Sequence, residues 1–241
     1  MFKRSPSLTE QIKLHIKQQI VDGEFEGERI PSEPELANNL GVSRTTVRDA
    51  LSRLESEGAV VRKQGMGTFI NRPGLQIKSR LEEIWSYESV LEAHGYEPTI
   101  RILGLTEKSA DQQVAEELGI GESDTVLVIE KLFEEDSNPV ILTYNTLPAS
   151  SIVSPFDEVA CRLPIYELLE EHCQQQLSYY LSDIVPISAP AEIARKLDLP
   201  EKTALLALKE IGYDINNQPL IKAVSYFRDD LIRFRLIRRR T

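Results

Sequence analysis

Residues 40–58, LGVSRTTVRDALSRLESEG, restrict the fold of this chain more than any other stretch. Val47, Ala50, Leu51 and Leu54 recur at helical spacing and predict a helix with one buried stripe, opened by Ser43 as N-cap and stopped at Gly58. Just upstream, Ser32-Glu33-Pro34-Glu35 has the form of a capping box, with Pro34 tolerated in the first turn, so a short helix is expected to end at Gly41. Two helices separated by the tight Leu40-Gly41-Val42 turn make a helix-turn-helix. Leu8, Ile12, Ile16 and Ile20 predict a helix before it, closed near Gly23. Residues 59–63 and 68–70 read as strands around Gln64-Gly65-Met66-Gly67, a hairpin wing behind the motif.

The predicted second helix of the motif carries its chemistry at its front end. Arg44 and Arg48 are four residues apart and share a face, and arginine can contact guanine O6 and N7 with both arms. Ser43, Thr45 and Thr46 are short donors suited to phosphates, aided by the free N–H groups of the helix start. Ser32 at the preceding helix and Lys63, Gln64, Gly65 and Gly67 in the wing complete the expected set of DNA-binding residues. Net charge is −10, which argues against indiscriminate coating of DNA. Residues 1–72 hold eleven basic and ten acidic residues, against seventeen and twenty-eight in the rest, so the N-terminal third is a separate electrostatic unit.

Arg72-Pro73-Gly74 breaks the pattern and marks a linker, followed by an expected linking helix over 81–94 that stops at Gly95. Strands are expected near 99–106, 124–134, 139–147, 177–187, 203–214, 219–228 and 232–239, with helices near 109–118, 164–173 and 189–197. VAEELGIGESDTVLVIEKLFEEDSNPVIL is echoed about 80 residues later by IARKLDLPEKTALLALKEIGYDINNQPLI. Two copies of a helix plus hairpin predict a pseudo-symmetric α+β domain with an antiparallel sheet.

Other chemistry is scarce. No apolar run approaches the roughly 20 residues of a bilayer span, and the N-terminus lacks the apolar core of a signal peptide, so a cytoplasmic protein without membrane contact is expected. Cys161 and Cys173 are the only cysteines and are expected as buried free thiols. His15, His94 and His172 are scattered, so neither a metal site nor a cofactor is expected.

Residues 27–70 resemble the winged helix of GntR-family bacterial transcription regulators, a likeness that extends over about 7–71. The resemblance implies a dimer that places two recognition helices on a palindromic operator, with Ser43, Arg44, Thr45, Thr46 and Arg48 as recognition-helix contacts and Gly65 as the wing-tip glycine. Two departures stand out: Pro34 where many members have a DNA-contacting arginine, and Gln64 where a fatty-acid-responsive branch has histidine. Residues 78–240 resemble the UTRA effector domain of the HutC-like branch. The cues are Ser86-Tyr87, Gly95 with Pro98, Leu118 with Ile120, Asn138-Pro139, Leu163-Pro164-Ile165-Tyr166, and Tyr226-Phe227-Arg228-Asp229-Asp230. That implies a chorismate lyase-like sheet, a small-molecule pocket and homodimerisation. The all-helical, metal-binding effector domain of another branch does not fit. The expected organisation is a winged helix over 1–72, a linker and linking helix over 73–94, and the UTRA domain over 95–241.

Members that sense amino-sugar phosphates use charged pocket positions, which in this chain become Lys131, Phe133, Thr143, Ile221 and Phe227. A phosphate needs several donors, so a sugar phosphate is disfavoured and a less polar carboxylate is expected. Lys131 is its cationic partner, with Ser86, Tyr87, Tyr144 and Asn145 as hydrogen-bonding groups. The function expected is a ligand-responsive transcription regulator, a repressor, and not an enzyme. A lyase-like enzyme and an effector-independent DNA-binding protein are the alternatives; the dearth of charge in the expected pocket speaks against catalysis.

Overall fold

The computed structural model describes residues 7–25, 27–75, 84–228 and 234, and the chain divides into two compact units between residues 80 and 81. In the first unit, α1 (Leu8–Asp22) is capped by Ser7 and stopped by Gly23, and it buries Ile12, Ile16 and Ile20 on one stripe. A two-residue strand, β1 (Arg29–Ile30), precedes α2 (Glu33–Leu40), whose capping box between Ser32 and Glu35 forms as expected. Gly41 turns the chain into α3 (Arg44–Ser56), which buries Val47, Ala50, Leu51 and Leu54. The wing follows as β2 (Val60–Lys63) and β3 (Gly67–Ile70), and β1 joins its other edge in the order β1-β3-β2. These stripes meet in one core with Ile30, Leu36 and Ile70. Lys13 and Lys17 of α1 reach Glu57 beyond the end of α3, and Arg53 of α3 reaches Glu10 of α1, tying the two helices at their rims.

Two expectations need correction here. Arg72-Pro73-Gly74 is not an irregular linker but lies in a turn of helix, α4 (Arg72–Leu75); Pro73 sits in the first turn, where its missing N–H breaks no hydrogen bond. The helix expected over 81–94 is α5 (Tyr87–Ala93), because Ser86 accepts from the Ser89 N–H and caps it there; residues 84–86 are not helical, and 81–83 lie outside the described residues. By contiguity α5 belongs to the second unit.

The second unit runs β4 (Thr99–Ser109), α6 (Gln112–Leu118), β5 (Thr125–Glu135), β6 (Asn138–Pro148), α7 (Ile165–Cys173), β7 (Tyr179–Ser188), α8 (Ala191–Lys196), β8 (Ala204–Tyr213) and β9 (Pro219–Phe227). The six strands form one antiparallel sheet ordered β4-β5-β6-β9-β8-β7. The internal echo explains that order: strand, helix and hairpin occur twice, and the last strands of the two copies, β6 and β9, pair at the centre with Ile141 opposite Phe227. α8 covers one face, packing Ile193, Ala194 and Leu197 on Leu132 and Leu142. α7 packs Leu168 and Leu169 with Leu127, Ile129 and Leu147, residues of opposite parity and therefore of the other face. Both cysteines are buried and free, as expected. The strand expected near 232–239 lies outside the described residues except for Phe234, which is in no strand. No described helix is long and apolar enough to cross a membrane.

Candidate DNA-reading helix and ligand cavity

The first turn of α3 is built by Ser43. Its Oγ accepts from the Thr46 N–H at 3.1 Å and lies 2.8 Å from the Thr46 hydroxyl, so these two residues spend their side chains on shaping the helix start. Arg44 and Thr45 are exposed beside them, and Arg44 makes no ion pair among the described residues. Arg48, one turn on, donates from Nε to Glu33 of α2 at 3.0 Å with 60% of its side chain exposed. Arg62 of the wing donates to the Arg48 carbonyl and to Ser52 Oγ, fastening β2 to the same helix. Lys63 lies with its amine 4.6 Å from the Phe69 ring centre, and Gln64, Gly65 and Met66 make the wing turn. Gly65 and Gly67 have φ of 72° and 110°, left-handed conformations that a side chain would strain. Ser32 is exposed, but its hydroxyl donates to Glu35 at 2.7 Å within the capping box. The residues predicted for DNA thus divide into a helix group (Ser43, Arg44, Thr45, Thr46, Arg48), a wing group (Lys63, Gln64, Gly65, Gly67) and Ser32 at the start of α2.

In the second unit a cavity of about 540 Å³ opens on the α7 face of the sheet. Strand alternation supplies its floor: Lys131 and Phe133 from β5, Thr143 and Asn145 from β6, Ala223 from β9, Leu208 and Glu210 from β8, Tyr180 and Ser182 from β7. Ser86, Tyr87 and Glu88 at the start of α5 form one wall and Leu163–Tyr166 ahead of and into α7 another. Lys131 donates from Nζ to the Leu163 carbonyl at 2.7 Å, and burial pulls its pKa down to about 8 against the opposing pull of Glu88. Burial pushes the Glu210 carboxyl up, with the hydrogen bond from Ser182 at 2.5 Å opposing the shift. Tyr87 donates to Ser225 Oγ at 2.7 Å and meets Phe133 and Phe227 edge-on, 5.4 Å and 5.5 Å between ring centres.

Six of the eight residues predicted for an effector, Ser86, Tyr87, Lys131, Phe133, Thr143 and Asn145, therefore line one cavity. Ile221 and Phe227 do not. They share the face of Ala223 but lie beyond it along β9, where Ile221 packs with Leu168 and Leu169 and Phe227 lies under Tyr87. Tyr144 is on the opposite face, accepting from Lys196 of α8 at 3.0 Å, because it alternates with Thr143 and Asn145. Glu210, Ser182, Tyr180 and Tyr166 line the cavity and were not expected. Glu210 offered no usable signal, because the buried positions of β8, Leu205, Ala207, Leu208 and Gly212, do not alternate regularly.

A helix-turn-helix with a wing, followed by an α+β unit that holds a cavity, is the architecture of a two-domain transcription regulator. The sequence profile of the UTRA domain matches residues 93–233, and that of bacterial regulatory proteins of the gntR family matches residues 8–70. The chain belongs to the GntR family, in the branch that carries a UTRA domain. It is 27% identical over 234 residues to the HTH-type transcriptional repressor NagR of Bacillus subtilis (strain 168), covering 96% of this chain and 95% of that one. It is 29% identical over 202 residues to the histidine utilization repressor of Pseudomonas putida, covering 83% and 75%. The crystal structure of possible transcriptional regulator YydK from Bacillus subtilis subsp. subtilis str. 168 superposes with a TM-score of 0.77 at 18% identity, over 96% of this chain and 99% of that one. These relatives are regulators, and the chain is a regulator rather than an enzyme.

Proposed function

We propose that this protein is a cytoplasmic transcriptional repressor that binds a palindromic operator as a homodimer and is modulated by a small molecule held in the second unit. In this reading residues 1–72 read DNA, 73–94 couple the units and 95–241 sense the ligand and dimerise. The observation that carries the DNA reading is the front of α3, where Arg44 and Thr45 stand exposed and Arg48 is held only by the partly exposed Glu33. NagR and the histidine utilization repressor are repressors, which supports repression here. Lys131, Thr143 and Asn145 on the cavity floor support a small organic effector. A sugar phosphate is disfavoured, since a dianion would meet one amine and the two carboxylates Glu88 and Glu210.

Selection from a randomised duplex pool at fixed salt tests the reading, because phosphate contacts make affinity salt-dependent. Wild type is expected to enrich one palindrome. Arg44→Ala and Arg48→Ala are each expected to weaken that binding by about 1–3 kcal/mol, roughly 5- to 150-fold, if they read bases. Enrichment of no sequence, or equal binding by both variants, overturns it.

A further inference from the structure

The cavity floor holds a buried lysine and a half-buried glutamate that do not meet. Lys131 lies on β5 and Glu210 on β8, with β6 and β9 between them. Three interstrand steps of about 4.8 Å and an offset of two residues along the strands separate their backbones, roughly 16 Å in all. Each is hydrogen-bonded only to a neutral group of the protein, Lys131 to the Leu163 carbonyl and Glu210 to the Ser182 hydroxyl. Among the described residues neither has a salt-bridge partner. Charges withdrawn from water are ordinarily paired, so a buried lysine and a half-buried glutamate without ion pairs, both lining one cavity, are an arrangement that a ligand can complete. The polar side chain between them on the floor, Asn145, offers both a donor and an acceptor and favours neither sign.

Resting on the reading of this cavity as the effector site, we propose that its ligand is an elongated zwitterion. A carboxylate or similar monoanion at one end pairs with Lys131, and a protonated nitrogen at the other pairs with Glu210. Such a ligand neutralises both groups at once. A simple carboxylate leaves Glu210 unpaired, and a simple amine leaves the buried Lys131 unpaired. An α-amino acid with an uncharged side chain carries both charged groups on one carbon and cannot span the gap.

Calorimetric titration of the full chain tests this with para-(aminomethyl)benzoate and the ω-amino carboxylates from aminobutanoate to aminooctanoate. Para-methylbenzoate and para-methylbenzylamine serve as single-charge controls. At least one zwitterion is expected to bind about tenfold or more tighter than either control, the strength of one desolvated charge-assisted contact. Glu210→Gln keeps an acceptor for Ser182 and is expected to erase that preference; Lys131→Met is expected to remove binding of the zwitterion and of para-methylbenzoate. Zwitterions that bind no better than the controls up to millimolar concentration overturn the proposal, as does a preference that survives Glu210→Gln. Zwitterion binding that depends on Lys131 but not on Glu210 overturns the pairing with Glu210 and keeps the cavity as the site. Binding that survives Lys131→Met, Glu210→Gln and a cavity-filling Thr143→Trp overturns the cavity reading itself.

Discussion

Lys131 shows how a single residue can be costly for the fold and useful to the site. Its pKa lies near 8 in the folded chain against 10.5 for an ordinary lysine, because burial penalises the ammonium. At neutral pH the unfolded chain therefore holds this proton more favourably than the folded one. Stability rises with pH between about 8 and 10.5, where the unfolded state binds more protons, and the penalty is fully present below about 8. Lys131→Met is expected to stabilise the second unit at pH 7 by on the order of 1–3 kcal/mol, net of about 1 kcal/mol for the lost bond to Leu163. Urea denaturation across this pH range checks it: the gain must shrink as pH climbs through the window. A variant less stable than wild type by a pH-independent amount contradicts the assignment. Lys131 was legible in the sequence because a lysine interrupts an apolar strand, whereas Glu210 was not, since Lys209 and Glu210 are adjacent and only the pairing of β8 with β9 decides which faces inward. Arg44 and Arg48 were legible for a different reason: helix periodicity and a cap fix where the first turn points without any tertiary information.

At the level of elements, the helices of the first unit and six strands of the second followed from caps, glycines and alternation. α4 did not, because its reason lies across the fold. Asn71 donates from Nδ2 to the Gly58 carbonyl at 2.7 Å, and the backbone of Gly74 comes in so close that an added Cβ would stand 1.9 Å from that same oxygen. The turn after the wing is thereby pressed onto the end of α3. Gly74→Ala is expected to destabilise the first unit by about 1–3 kcal/mol or more, since backbone must move to admit the methyl. Amide exchange in α3 of the full chain checks this locally, faster exchange being the expected outcome and unchanged exchange the contrary one. Strand parity also misled: Tyr144 has the chemistry of a ligand-binding residue and the wrong neighbours, and Ile221 and Phe227 have the right face but are covered by α7 and by Tyr87. A family correspondence by sequence position does not register which part of a face stays uncovered.

For the whole molecule, the DNA-reading helix and the cavity lie in separate compact units, so any influence of one on the other is a coupling free energy shared by both. If a cavity ligand weakens operator binding by some factor, commonly about 5–150-fold, saturating operator must weaken ligand binding by that same factor. Operator titration by fluorescence anisotropy with and without ligand, and calorimetry of the ligand with and without operator, are expected to return equal ratios; unequal ratios would contradict linkage through one pair of states.

The central pairing of β6 with β9 also has a consequence in time. The core of the first unit is complete by Ile70, from contacts within one short run of chain. The floor of the cavity waits for β9: Ser225, which receives the Tyr87 hydroxyl, comes 138 residues after it. Long-range pairing of this kind folds late. On the ribosome the first unit is therefore finished well before the second, and a chain cut short ahead of β9 keeps the whole core of the first and loses the central strand of the second.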